Sequence, residues 1–145
     1  MSLIGGDLVS IDGPLTLTLT LTGRCFNSAP VRRTGGRAGQ GLYVDGEIGW
    51  GGLGLAAART GSDPKTVQRY RVPHISPLDA AHAVARYGSA SMDVSDGLLI
   101  DAMRLASASE CGALIELDRV PLAKPTTELE SVLAQCASGD DYRIL

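Results

Sequence analysis

Ser89-Ala90-Ser91-Met92-Asp93-Val94-Ser95-Asp96-Gly97-Leu98 is the stretch whose reading decides the fold. Residues 89–94 read as a short strand that enters Asp93-Val94-Ser95-Asp96-Gly97. The following residues, 97–109, carry Leu98, Ala102, Leu105 and Ala106 on one face at helical spacing. A strand handing over to an amphipathic helix through a Ser/Asp/Gly turn is the unit of a layered α/β domain. On the C-terminal side, Gly112 stops the helix, Ala113–Leu117 reads as a strand, and Pro121 and Pro125 bracket a turn. Residues 126–136 read as a helix with Leu129, Val132, Leu133 and Cys136 inward. Gly139-Asp140-Asp141-Tyr142 then turns into a strand at Arg143-Ile144-Leu145.

Upstream the same alternation continues. Residues 78–87 form an Ala-rich helix, and 66–77, polar and holding Pro73 and Pro77, are extended or irregular. Residues 50–60, small and apolar, form a closely packing helix ended by Gly61, Asp63 and Pro64. Leu42-Tyr43-Val44 is a short strand closing at Asp45-Gly46. Residues 23–41 hold five Gly, four Arg and one Pro and no hydrophobic period, which makes them a linker and the best domain boundary. Before it, Leu15-Thr16-Leu17-Thr18-Leu19-Thr20-Leu21-Thr22 alternates strictly, the period of a strand with one apolar face. An exposed strand of this kind invites pairing with another chain. The fold class expected is α/β (α+β), a layered mixed sheet with helices packed on it.

Composition narrows the function. The chain has 145 residues, 44% apolar and 20% charged, a balance that excludes general disorder. With one Phe, one Trp and four Tyr, its core must be built from aliphatic side chains. The net charge is −3 and no Lys/Arg run exceeds two residues, so nothing supports nucleic-acid binding. No apolar run approaches the ~20 residues of a membrane helix, and no secretory signal opens the chain. Cys25, Cys111 and Cys136 form no CxxC pair, which argues against a zinc site or a disulfide framework. A reducing cytoplasm is the expected setting.

Three acidic clusters stand beside glycine: Gly5-Gly6-Asp7, Asp93-Val94-Ser95-Asp96-Gly97 and Gly139-Asp140-Asp141. Carboxylates at turns suit Mg²⁺, an ion held by one or two carboxylates plus substrate phosphates. Asp93 at the strand end and Asp96 in the first helical turn can converge on one ion or two adjacent ones. Ser95 can cap the helix, and free N–H groups there can hold a phosphate oxygen. Asp, Ser and Gly are also the residues of ordinary caps and turns. Arg33, in Arg32-Arg33-Thr34-Gly35-Gly36, can fork onto phosphate oxygens. His74 and His82 lack partnering ligands, and Cys111 and Cys136 read as small core residues.

In order along the chain, Gly5-Gly6-Asp7, Gly13-Pro14-Leu15, Arg33-Thr34-Gly35-Gly36, Gly41 to Gly46, Arg69-Tyr70, Pro73, Met92 to Leu98 and Ser138 to Tyr142 resemble the thiamine-monophosphate kinase family. That family belongs to the aminoimidazole ribonucleotide synthetase superfamily. The resemblance covers nearly the whole chain, and Asp-Val-Ser-Asp-Gly-Leu with a late Gly-acidic-Asp-Tyr is its most specific part. It implies transfer of the γ-phosphoryl of ATP to thiamine monophosphate, several Mg²⁺ ions, and a homodimer. It implies that Asp7, Asp93 and Asp96 are metal ligands, that Gly6, Asp7, Arg33 and Ser95 contact the nucleotide, and that Asp141 contacts the substrate. It also implies that residues 1–30 hold the terminal strand of a truncated N-terminal nucleotide-binding domain, and 31–145 an incomplete C-terminal α/β domain. On this reading the chain is a fragment without its own kinase activity. Leu8 and Arg143 depart from the family pattern and favour a rival, a non-catalytic member that dimerises or binds nucleotide. A second rival is a related ATP-dependent enzyme with another small substrate.

Overall fold

The computed structural model describes residues 2–145. Its elements are α1 (Trp50–Thr60), α2 (Pro64–Arg71), α3 (Leu78–Tyr87), β1 (Asp93–Val94), α4 (Leu98–Ala108), a 3₁₀ turn (Leu117–Arg119), α5 (Leu129–Ala137) and β2 (Arg143–Ile144). β1 and β2 pair antiparallel, with Asp93 opposite Ile144 and Val94 opposite Arg143. Hydrogen bonds between Met92 and Leu145, in both directions, extend the ribbon by one residue. Ile48 forms a single parallel bridge to Leu122. The fold is thus the expected α/β class, helices packed on a sheet, but the sheet is small.

The core lies beneath that ribbon. Ile48, Met92, Val94, Leu98, Ala102, Leu105, Val132, Cys136 and Leu145 form one buried cluster. α4 contributes Leu98, Ala102 and Leu105, the face expected from its period. Val132 and Cys136 of α5 are buried as expected, whereas Leu129 and Leu133 are exposed. α5 starts three residues later than expected, at Leu129, and this sets which of its positions turn inward.

α1 shows why a helix in this chain is rich in glycine. A Cβ at Gly54 would lie 2.2 Å from the Tyr70 Cβ, so α2 crosses α1 at that point. Gly61, at φ 66°, closes α1 in the left-handed conformation. Asp63 and Pro64, expected to end α1, instead open α2. The Asp63 carboxylate accepts from the N–H groups of Lys65 and Thr66, and Pro64 occupies the first helical turn, where its missing N–H costs nothing. The Thr66 hydroxyl, which also donates to this carboxylate at 2.6 Å, and then these N–H groups hold the Asp63 carboxyl below its ordinary range. Residues 64–71 are therefore helical rather than irregular.

Other expected elements are absent for want of partners. Leu42-Tyr43-Val44 and Ala113–Leu117 form no ladder. Gly112 is not the stop of α4; the helix closes at Ser109, and Glu110 takes the left-handed conformation at φ 55°. Residues 2–30 are exposed throughout, and the Leu/Thr stretch pairs with no strand among the described residues. Its leucines at 15, 17, 19 and 21 are between 65% and 86% exposed. Alternation gives a segment a face but not a neighbour, and an extended strand without a ladder has no regular structure to report.

Candidate functional site

The two most specific motifs fold onto each other. The Asp140 N–H donates to the Ser95 carbonyl at 2.9 Å and the Tyr142 N–H to the Val94 carbonyl at 2.8 Å. Gly139 permits the approach, since a Cβ there would lie 2.5 Å from the Ser95 oxygen. Gly97 does the same from the other side, with the Ala137 oxygen 2.8 Å from its would-be Cβ. The glycines beside these acidic clusters thus let the two loops close on each other. Asp140 and Tyr142 both hold positive φ, 66° and 51°, so the crossing is also where the backbone is strained.

The loop between β1 and α4 is organised by a residue the sequence reading did not single out. Asp101 is fully buried. Its Oδ2 accepts from the N–H groups of Ser95 at 3.0 Å, Asp96 at 2.9 Å and Gly97 at 3.2 Å, and its Oδ1 from Arg104 Nη1 at 2.9 Å. Two expectations change. Ser95 does not cap α4, whose entrance residue is Gly97 without a capping side chain. The N–H groups expected to cradle a phosphate are already bonded to Asp101. Asp96 lies in the loop rather than in the first helical turn.

Asp93 and Asp96 both point to solvent, with side chains 55% and 56% exposed, and each meets its own arginine. Arg33 Nη2 lies 3.8 Å from Asp93 Oδ1. The loop carrying Arg33 is held there by Ser91 N–H donating to the Arg32 carbonyl and Ser109 Oγ donating to the Arg33 carbonyl, each at 2.9 Å. Asp96 pairs with Arg104. The Tyr142 hydroxyl donates to Asp140 Oδ1 at 2.9 Å, and this bond, then the Asp140 charge, push the phenol up.

Asp141 sits apart from that surface. It is 4% exposed, and its two oxygens accept from the N–H groups of Gly49 at 2.7 Å and Gly51 at 3.0 Å, the entrance of α1. Burial pushes its carboxyl up, while the Gly49, Gly51 and Trp50 N–H groups and the Arg143 charge oppose that shift. The Asp140 side chain instead accepts from the Tyr142 hydroxyl, and its Cβ lies 3.0 Å from where a Cβ on Gly51 would stand. Gly6 and Asp7 stand in the exposed N-terminal segment. Asp7 Oδ1 accepts only the N–H of the adjacent Leu8, and a Cβ on Gly6 would meet nothing. The structure sets Arg33 beside Asp93, carries Ser95 and Asp96 in the adjoining loop with Asp96 on Arg104, and leaves Gly6 and Asp7 in the exposed N-terminal segment. Arg143, read as a departure, is a buried packing residue. Its guanidinium lies over Gly46 and reaches the Glu47 and His74 carbonyls.

Residues 37–139 match the family described as AIR synthase related protein, C-terminal domain. The chain belongs to that family. Its AIR synthase-related domain is 34% identical over the whole chain to thiamine-monophosphate kinase of Caulobacter vibrioides, of which the match covers 44%. It is 31% identical over the whole chain to the enzyme of that name from Leptospira interrogans, covering 48% of it. The chain thus spans about half the length of the curated relatives it matches. Among solved structures, an AaThiL complexed with AMPPCP and TMP superposes with a TM-score of 0.67 at 29% identity, over 79% of this chain and 40% of that one. Thiamine-monophosphate kinase from Stenotrophomonas maltophilia K279a shares the fold, with a TM-score of 0.69 at 22% identity over 79% of this chain and 40% of that one.

The donor chemistry of the AIR synthase-related domain suits a hard cation in part. Asp93 and Asp96 offer exposed carboxylate oxygens, the ligand type Mg²⁺ takes, and that ion fills the rest of its shell with water and substrate phosphate. Among the described residues no three His, Cys, Asp or Glu side chains gather to hold a metal by themselves.

Proposed function

We propose that this domain supplies half of the active site of an ATP-dependent phosphotransferase that converts thiamine monophosphate to thiamine diphosphate. The observation that carries the reading is the stacking of the Asp93–Gly97 loop on the Gly139–Tyr142 loop, with Arg33 alongside. Two polyanions must meet in this reaction, so the site needs carboxylates for cations and a guanidinium for phosphate oxygens. Asp93 and Asp96 hold Mg²⁺, which would neutralise phosphate charge when bound. Arg33, half exposed beside Asp93, forks onto a phosphate of the nucleotide, and Ser95 lies in the loop between the two carboxylates. Asp140, in the loop stacked on Val94 and Ser95, contacts the thiamine phosphate in the place first assigned to Asp141, whose oxygens are occupied at α1. Gly6 and Asp7 join the nucleotide site only through a rearrangement of the N-terminal segment.

In the same reading residues 1–30 belong to an N-terminal nucleotide-binding domain and 31–145 form the C-terminal α/β domain. The protein is a cytoplasmic homodimer in which the exposed Leu/Thr stretch pairs with a neighbouring strand. Arg143 gives the non-catalytic rival no support, because it packs inside the fold. In the whole protein, Asp93→Asn or Asp96→Asn lowers thiamine-monophosphate-dependent ATP consumption about a hundredfold or more. The 145-residue chain alone folds without measurable turnover. Undiminished turnover in both variants would refute the assignment.

A further inference from the structure

Asp101 uses its two oxygens for different tasks. Oδ2 fixes the backbone of residues 95–97, and Oδ1 holds Arg104. Arg104 extends from there to Asp96, so one guanidinium bridges a buried carboxylate and an exposed one. The outer half of this bridge is open to water, with the Arg104 side chain 44% and the Asp96 side chain 56% exposed. An exposed ion pair is held weakly. Leaving Asp96 would not strip Arg104 of its anchor, because the same Nη1 also donates to Asp101 Oδ1. Nor would it loosen the loop, whose three N–H groups bond to the other oxygen. Arg33 is no equivalent at Asp93, where the separation is 3.8 Å and neither side chain is anchored to a buried group.

We propose that Arg104 is a positioning residue that occupies Asp96 in place of a divalent cation, and that the cation must displace it onto Asp101. The proposal rests on the assignment of Asp96 as a cation ligand. It makes the cation affinity of the site lower than its carboxylates alone would give, while Asp101 Oδ2 holds the loop in the same geometry with or without the pair.

The test is Mn²⁺ binding to the 145-residue chain, followed by the loss of the free-ion electron paramagnetic resonance signal. Arg104→Gln lowers the Mn²⁺ dissociation constant about twofold to fivefold, the range for removing one partly exposed competing pair. Arg104→Lys, which keeps the charge, stays near the unsubstituted chain. Arg59→Gln, a control for net charge at the end of α1, changes nothing. In an Asp96→Asn background, Arg104→Gln has no effect. A purely structural Arg104 predicts the opposite sign, weaker binding with a lower melting temperature. Unchanged or weaker binding in Arg104→Gln, with binding still lost in Asp96→Asn, overturns the proposal and leaves the cation assignment standing. Absence of any binding sensitive to Asp96→Asn, with either residue at 104, overturns both.

Discussion

α1 and α4 begin in the same way and are held in different ways. Each follows a glycine in the left-handed half of backbone space, Gly49 at φ 108° and Gly97 at φ 127°. Neither entrance residue supplies a capping side chain. Each entrance is instead gripped by a buried aspartate. At α4 the clamp is Asp101, within the helix it opens and four to six residues from the N–H groups it binds. At α1 the clamp is Asp141, 92 residues from Gly49 and 90 from Gly51. The local clamp can form as its own helix forms and shapes the candidate site. The remote clamp forms only when the chain has closed a long loop, so it joins the two ends of the domain. One device thus serves site geometry in one place and global closure in the other.

The contrast breaks most visibly on removing the clamps. Asp101→Ala leaves three N–H groups, one buried and two partly buried, without their acceptor and takes one of two carboxylates from Arg104 Nη1, and is expected to cost about 2–4 kcal/mol. Asp141→Ala removes a cap whose carboxylate already pays for burial, and is expected to cost about 1–2 kcal/mol. Urea unfolding of the 145-residue chain measures both. A larger loss at Asp141 would reverse the ranking.

A smaller effect separates the clamps by pH. Burial raises the folded pKa of Asp141 above its ordinary 3.8. The folded state therefore holds that proton more tightly than the unfolded state. The stability this group contributes is fully present below the unfolded pKa and is lost as pH rises through the elevated folded one. Asp141→Asn, neutral throughout, should lack that decline, so the difference between its urea midpoint and that of the unsubstituted chain should change with pH above 3.8. Parallel curves for the two chains would contradict this assignment.

The same contrast marks what could be read from the sequence. α1, α3 and α4 were legible because period and glycine punctuation are local properties. Asp101 was legible in principle, since it shares the buried face of Leu98, Ala102 and Leu105, where an acidic residue demands a partner. Asp141 was not, because nothing near it names a helix entrance some ninety residues away. α2 was misread because Asp63-Pro64 signals a stop and a start equally well, and here the Asp63 side chain turns forward. The strands expected at 42–44 and 113–117 failed because a ladder depends on a neighbour that alternation does not specify. The nearness of Arg33 to Asp93 could be guessed from their motifs, but the arginine facing Asp96 could not, because Arg104 reaches it only through the geometry Asp101 sets.

The central claim is that the Asp93–Gly97 and Gly139–Tyr142 loops form one phosphate and cation surface. Two-dimensional amide NMR of the labelled 145-residue chain tests it directly, with Mg²⁺ and AMPPCP added to millimolar concentration. The account predicts shifts concentrated at residues 93–97, 139–142 and 32–36, and their loss in Asp96→Asn. Shifts centred elsewhere, or unchanged by Asp96→Asn, would contradict it.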